Sequence, residues 1–302
     1  MTALAIMFAV LGALCSALGA HLQHQGVRTA TKDTAGLKLR GAVALVHNRT
    51  WLAGFAVLFA CAVMQILALA LAPVTIVAPI VVLALPAVAM LNARSSGERL
   101  NTTAVIAIGA STLGVALFVT LASGHATATH FPDSAVLLAC QLIAAVIILF
   151  GVAGALTRGL LRCVLLATGA GAAYGLVSVL VRDVTYTFQT SGVGGISPVS
   201  VTGLVAAFAV GSWYIQLAYA SGPPDIVVGC QTVLSPLVAT AIAIALLDET
   251  ANAGGWIGAG LITGAAAAVV GVVLLARHHP EATSRATPHS AERHLFRATP
   301  QS

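Results

Sequence analysis

Apolar runs of about twenty residues recur along this chain with hardly a charge inside them, each long enough to cross a hydrocarbon layer of about 30 Å as a helix. That single feature decides the solvent. Only 8% of the 302 residues are charged and 59% are hydrophobic, with a mean hydropathy of +0.98. A soluble domain needs about a quarter of its residues charged to cover its surface, so lipid must surround most of this one. The strands of a membrane barrel would alternate over roughly ten residues, which these runs do not do.

The runs predict an all-α polytopic membrane protein with nine transmembrane helices, at about 2–22, 51–71, 73–92, 104–121, 134–155, 163–181, 199–219, 226–247 and 254–275. The first has no basic stretch before it and reads as a spanning helix rather than a cleaved signal. The segment His24 to Thr50 that follows is too charged to span.

Basic residues stay on the cytoplasmic side of a membrane. With Met1 outside, the nine spans place Arg28, Lys32, Lys38, Arg40, Arg49, Arg94, Arg99, Arg158, Arg162, Arg277, Arg285, Arg293 and Arg297 inside. Only Arg182 falls outside. The formal charge of +5 is thus a matter of topology, and it gives no reason to expect nucleic acid as a partner.

The stretch Gln65 to Arg99 is written again from Ile215 to Glu249. The two share Leu67/Leu217, Ala68/Ala218, Ala70/Ala220, Pro73/Pro223, Ile76/Ile226, Val77/Val227, Pro86/Pro236, Val88/Val238, Ala89/Ala239 and Ala93/Ala243. The proline pairs carry most weight, because each stands where a helix must start late or bend. Glu98 and Asp248 close the copies, while Gln65 and Gln216 open them one residue out of register. The repeat is expected as two inverted-topology units, spans 1–4 and 6–9, since corresponding helices lie an odd number of spans apart. This divides the chain into residues 1–133, a connector at 134–162, a second unit at 163–277 and a disordered cytoplasmic tail at 278–302. Inverted repeats are the architecture of many secondary transporters, with the substrate held near midplane between the halves.

Pro73 and Pro223 sit in tight reversals, where a missing N–H costs nothing. Pro79 and Pro86 are expected to break span three, and Pro236 span eight, freeing carbonyls toward a pathway. Gly260 and Gly264, four apart in span nine, form a close-packing face, with a homodimer through that face as the other use of the spacing. Gly12 and Gly19, and Gly169, Gly171 and Gly175, permit close approach in the same way.

No Asp, Glu, Lys or Arg stands clearly at the centre of a span. Cavity polarity is therefore expected from neutral groups: Gln65, Thr75, Ser111, Thr112, Gln141, Tyr174, Ser178, Thr202, Ser212, Tyr214, Gln216, Tyr219, Gln231, Thr232 and Ser235. Within this set Gln65, Thr75, Gln216, Tyr219, Gln231 and Ser235 are the pathway candidates. A buried amide must find a partner or face water, so each glutamine serves either solute contact or helix pairing. Metal ligation has only weak candidates, His21 with His24 on one face of span one, and His125, His130 and Asp133 in an outer loop. Trp51, Trp213 and Trp256 fall near span ends, as interfacial anchors do. The five cysteines lie singly with no CxxC spacing. No nucleophile with its base and no metal triad is present, so neither an enzyme nor a cofactor is expected.

The runs Trp51 to Gly54, Ala70-Leu71-Ala72-Pro73-Val74-Thr75-Ile76-Val77-Ala78-Pro79 and Gly97-Glu98-Arg99-Leu100 resemble the drug/metabolite transporter superfamily. So do Gln216 to Pro223, Ser235 to Val238 and Asp248-Glu249 in the second copy. The likeness is nearest to the NIPA-type magnesium transporter branch and related bacterial EamA-like permeases, and it covers about residues 1–276. It implies nine or ten helices in inverted halves, in a bacterial inner membrane, carrying a cation or a small metabolite. NIPA-type members carry an acidic residue in the second span and an Asn before the Ala-Pro turn. Here those positions are Ala62 and Gln65, which leaves a hard divalent ion little negative charge. Three readings stand on these residues. The first is a transporter or facilitator of a small metabolite or drug-like solute, the second a carrier of Mg²⁺ or another divalent cation, the third a non-transporting scaffold in the bilayer.

Overall fold

The computed structural model describes residues 2–31, 45–72, 77, 80–97, 101–123, 132–247 and 255–278. Within them the chain is all helical, as expected, with nine α-helices and one short 3-10 turn. They are α1 (Thr2–Thr31), α2 (Arg49–Leu71), α3 (Ala84–Ser96), α4 (Thr102–Ser123), α5 (Asp133–Leu156), α6 (Gly159–Ser191), α7 (Pro198–Tyr219), α8 (Pro224–Leu247) and α9 (Gly255–His278). Eight are long and apolar enough to cross a membrane. The exception is α3, whose 13 residues are too few by themselves.

Two helices overrun the apolar runs that announced them. α1 continues through the polar residues to Thr31, so His24 to Thr31 is helix rather than loop. Nothing between Leu22 and Thr31 interrupts a helix, and the Gly26 backbone is pressed against Trp51 of α2. α6 runs for 33 residues to Ser191, about 50 Å at the helical rise and well beyond a bilayer core. Polarity marks where lipid ends, not where hydrogen bonding ends.

Glycines set the closest helix contacts, because without a Cβ two backbones can approach and gain dispersion contact. Gly12, Gly19 and Gly26 form a seam at seven-residue intervals on α1, meeting Gln65, Leu58 and Trp51 in turn, which makes α1 and α2 antiparallel. Gly114 of α4 lies against Gly264 and Ala268 of α9, where an added Cβ would stand 2.7 Å from the Gly264 carbonyl oxygen. Ser111 Oγ donates to the Ala268 carbonyl in the same crossing (3.2 Å). Gly260 and Gly264 face Leu121 and Phe118 of α4, so this packing face is occupied within the chain and is not free for a second copy. Gly171 and Gly175 receive Leu234 and Val238 of α8.

The expected hairpin at Ser221 to Pro224 is present. Gly222 N donates to the Ala218 carbonyl, and Pro224 begins α8 where its missing N–H is harmless. The other proline expectations need correction. Pro86 sits in the first turn of α3 instead of inside a helix, and the interruption falls one turn earlier. Leu85 N bonds the Val82 carbonyl, the acceptor that a residue with an N–H at position 86 would have taken. Pro236 does not break α8, which runs through it continuously. Pro73, Thr75, Pro79, Glu98, Asp248, Glu249 and the tail lie outside the described residues.

Candidate functional site

One cavity of about 1200 Å³ lies within the bundle, lined by residues of α1 to α4 and of α6 to α9. Of the six pathway candidates, Gln65, Gln216, Tyr219, Gln231 and Ser235 line it, together with Tyr174, Ser178, Ser212 and Thr232. Three of the expected polar residues are spent on helix structure instead, and a fourth points away. Ser111 bonds α9, Tyr214 Oη donates to the Ile147 carbonyl of α5 (3.1 Å), Thr202 Oγ1 donates within its own helix to Pro198, and Gln141 is exposed away from the cavity.

At one end the two sides are tied together. Trp51 Nε1 donates to Gln216 Oε1 (3.0 Å), and Gln216 Nε2 donates to Gln23 Oε1 (3.1 Å). Trp51 is held for this by Asn48, whose side chain caps α2 by accepting from the Trp51 amide (3.0 Å). Beside the chain of amides the buried His24 ring meets Tyr219 edge-on at 5.9 Å. Asn92 Nδ2 of α3 reaches Asp225 Oδ1 of α8 (3.1 Å) at the same end. Gln216 is 8% exposed, so the bonds that fill its amide are made out of water. Each would leave a buried group unpaired if broken, at a cost of about 1–3 kcal/mol.

Along α6, Tyr174, Ser178 and Arg182 stand four residues apart and all line the cavity. Tyr174 Oη shares a hydrogen bond with Ser212 Oγ of α7 (2.9 Å). Gln231 and Ser235 repeat the four-residue spacing on α8, next to Thr232 and Pro236. Since Pro236 has no N–H for the Thr232 carbonyl, that acceptor is released from the helix ladder at the cavity wall. α2 and α4 offer mostly apolar groups. Phe55, Leu58, Phe59 and Ala62 of α2, Val81 and Val82 before α3, and Val115 and Val119 of α4 are apolar. Gln65 is the polar exception from α2, and its amide finds only the Cys61 sulfur at 3.5 Å.

Arg182 is the one charged side chain in the lining among the described residues. The apolar runs placed it in an outer loop, and the overrun of α6 turns it inward. Carboxylates away from the span centres are nonetheless buried. Asp183 and Asp225 are both buried, Asp183 accepting from Ser200 Oγ (2.7 Å), and neither lines the cavity. Gln23 and Trp51 were not legible as site residues either, although the spacing of Tyr174, Ser178 and Arg182 was available to find the α6 ladder.

His21 and His24 stand together on α1, but the metal candidates gather no third ligand among the described residues. His21 pairs with Gln25 (2.8 Å), Asp133 is an exposed residue at the start of α5, and His125 and His130 lie outside the described residues. Among the described residues no three His, Cys, Asp or Glu side chains form a group suited to an ion. No family model, curated protein or solved structure matches the chain.

Proposed function

We propose that this chain is a secondary transporter or facilitator that moves a small solute by alternating access, with residues 1–133 and 163–277 as inverted halves of a drug/metabolite-transporter type. The observation that carries it is the cavity shared by both halves and shut at one end by the bonds from Trp51 through Gln216 to Gln23. Positions 150 residues apart support the duplication, since Leu58/Phe208, Phe59/Ala209, Ala62/Ser212, Gln65/Ile215, Val81/Gln231 and Val82/Thr232 all line that cavity, both members of each pair. A scaffold has no use for such a space or for a polar latch across it.

The closed end holds Arg28, Arg49, Arg94, Arg158, Arg162 and Arg277 at or near helix termini. Retention of basic residues makes it the cytoplasmic end, with Met1 outside and Ser302 inside. The lining has no carboxylate among the described residues, which favours an organic solute over Mg²⁺, a hard cation that asks for several oxygen ligands with negative charge. Purified protein in liposomes, challenged with Mg²⁺, protons and a panel of organic solutes, tests the reading. Saturable flux of an organic solute is expected, and flux of none would overturn it.

A further inference from the structure

We infer that the solute carries an uncharged amide edge, as in a primary carboxamide, a lactam or a urea, and that Gln231, Thr232 and Ser235 of α8 hold it. This names the solute class for the cavity and rests on the transporter reading for its purpose. The three residues cover about 6 Å of helical rise and all line the cavity. They are half-buried, and their side chains make no hydrogen bond among the described residues. By contrast, Gln23 and Gln216 are spent on the latch, and Gln65 has the Cys61 sulfur. Tyr174 and Ser212 bond each other, and Ser178 Oγ donates to the Tyr174 carbonyl. An amide held away from bulk water must find a partner, and the partner left for Gln231 is whatever occupies the cavity.

A glutamine side chain presents a carbonyl acceptor and an N–H donor in one plane. Its complement is a donor beside an acceptor, which a primary amide, lactam or urea offers without charge, in two parallel bonds. A carboxylate would turn a second acceptor toward the glutamine carbonyl, and an ammonium a second donor toward its N–H. Either ion would also exchange water for a lining with no carboxylate among the described residues. The cation in that lining, Arg182, already has an interaction of its own. The hydroxyls of Thr232 and Ser235 donate or accept as required, so they can take the N–H and the lone pair that the paired edge leaves over. α8 packs against α4, whose Val115 and Val119 also line the cavity and offer the rest of the solute an apolar bed.

Equilibrium binding of tritiated hydrocinnamamide to the protein in lipid nanodiscs, with empty nanodiscs subtracted, tests this. Saturable binding is expected. N,N-dimethylhydrocinnamamide, hydrocinnamate and phenylpropylammonium keep the same apolar body and should displace the probe at least tenfold less well than unlabelled hydrocinnamamide. Gln231→Leu should weaken binding about tenfold, as for a lost pair of hydrogen bonds. Gln231→Glu keeps the size and should invert the order, the ammonium then displacing better than the amide. Gln141→Leu, on the surface away from the cavity, should change nothing. Gel filtration and thermal unfolding check each variant, and if Gln231→Leu does not fold, the headgroup series on the wild type and the Gln231→Glu reversal decide. Absence of saturable binding, equal displacement by the dimethylamide or by either ion, or undiminished binding in folded Gln231→Leu would overturn the inference. The liposome panel decides transport separately. Saturable binding without flux would leave the amide subsite standing and remove transport, whereas flux confined to solutes without an amide edge would leave transport standing and overturn the inference.

Discussion

Residues 150 apart in the chain line the cavity in pairs, and at three of these pairs the first member is apolar and the second polar, Gln65/Ile215 reversing the sense. The three set Ala62, Val81 and Val82 against Ser212, Gln231 and Thr232. In the proposed duplication, the face that meets the cavity has diverged between the copies. Packing in lipid is governed by shape, which small residues at the helix crossings set. What a solute recognises is governed by a few hydrogen-bonding groups, and these can diverge without cost to the fold. The contrast also separates the two functions of a glutamine here. Gln216 is held by Trp51 and Gln23 and ties α7 to α1 and α2, whereas Gln65 has only a sulfur for a partner among the described residues and faces the space.

Removing the polar elements of both sides should have the largest effect. Gln65→Leu with Gln216→Leu is expected to abolish flux while the protein remains folded, because the change leaves Gln23 and Trp51 unpaired at about 1–3 kcal/mol each and unlatches the closed end. Flux measured in liposomes, alongside gel-filtration behaviour, checks it, and normal flux would take both glutamines out of the pathway. Next in size, Gln231→Val with Thr232→Val makes the second copy resemble the first at these positions. A rise of about tenfold in the half-saturating solute concentration is expected, as for one or two lost hydrogen bonds. The reverse change, Val82→Thr, puts a hydroxyl among apolar lining residues and should raise that concentration only about threefold, the modest penalty of placing a polar group there. An effect as large as that of the double valine variant would mean that the paired lining residues are not divided as described. The smallest effect is expected of Pro236→Ala, which returns an N–H to the Thr232 carbonyl. It should raise the melting temperature by a few degrees and change flux by less than about twofold. A loss of flux beyond that would show that the released carbonyl, and not the side chain beside it, meets the solute.

Much of this architecture is written openly in the sequence. The runs of apolar residues announced nine helices within a few residues of where most of them lie, because burial in lipid needs little beyond length and the absence of charge. What they could not announce is where helices persist into water. Thr31 and Ser191 were misplaced for that reason, and with Ser191 went Arg182 and Asp183. The cavity was half legible. Tyr174, Ser178, Gln231 and Ser235 stand at helical spacing, but Ser111 and Tyr214 have the same composition and are consumed by the carbonyls of neighbouring helices. Which hydroxyl meets a carbonyl and which meets a cavity is decided by crossing geometry, and no single helix contains that information. Trp51 illustrates it further, since a tryptophan at a span end reads as an interfacial anchor until Gln216 is found beside its indole N–H.

The central claim is that two halves tilt about a shared space, closing one end as the other opens. Spin labels at Gln25 and Ser221 report the latched end, and labels at Ile66 and Thr185 report the end where α2 and α6 stand apart. With saturating solute the account predicts that the first distance lengthens while the second shortens. Two distances that stay fixed, or that change in the same sense, would contradict it.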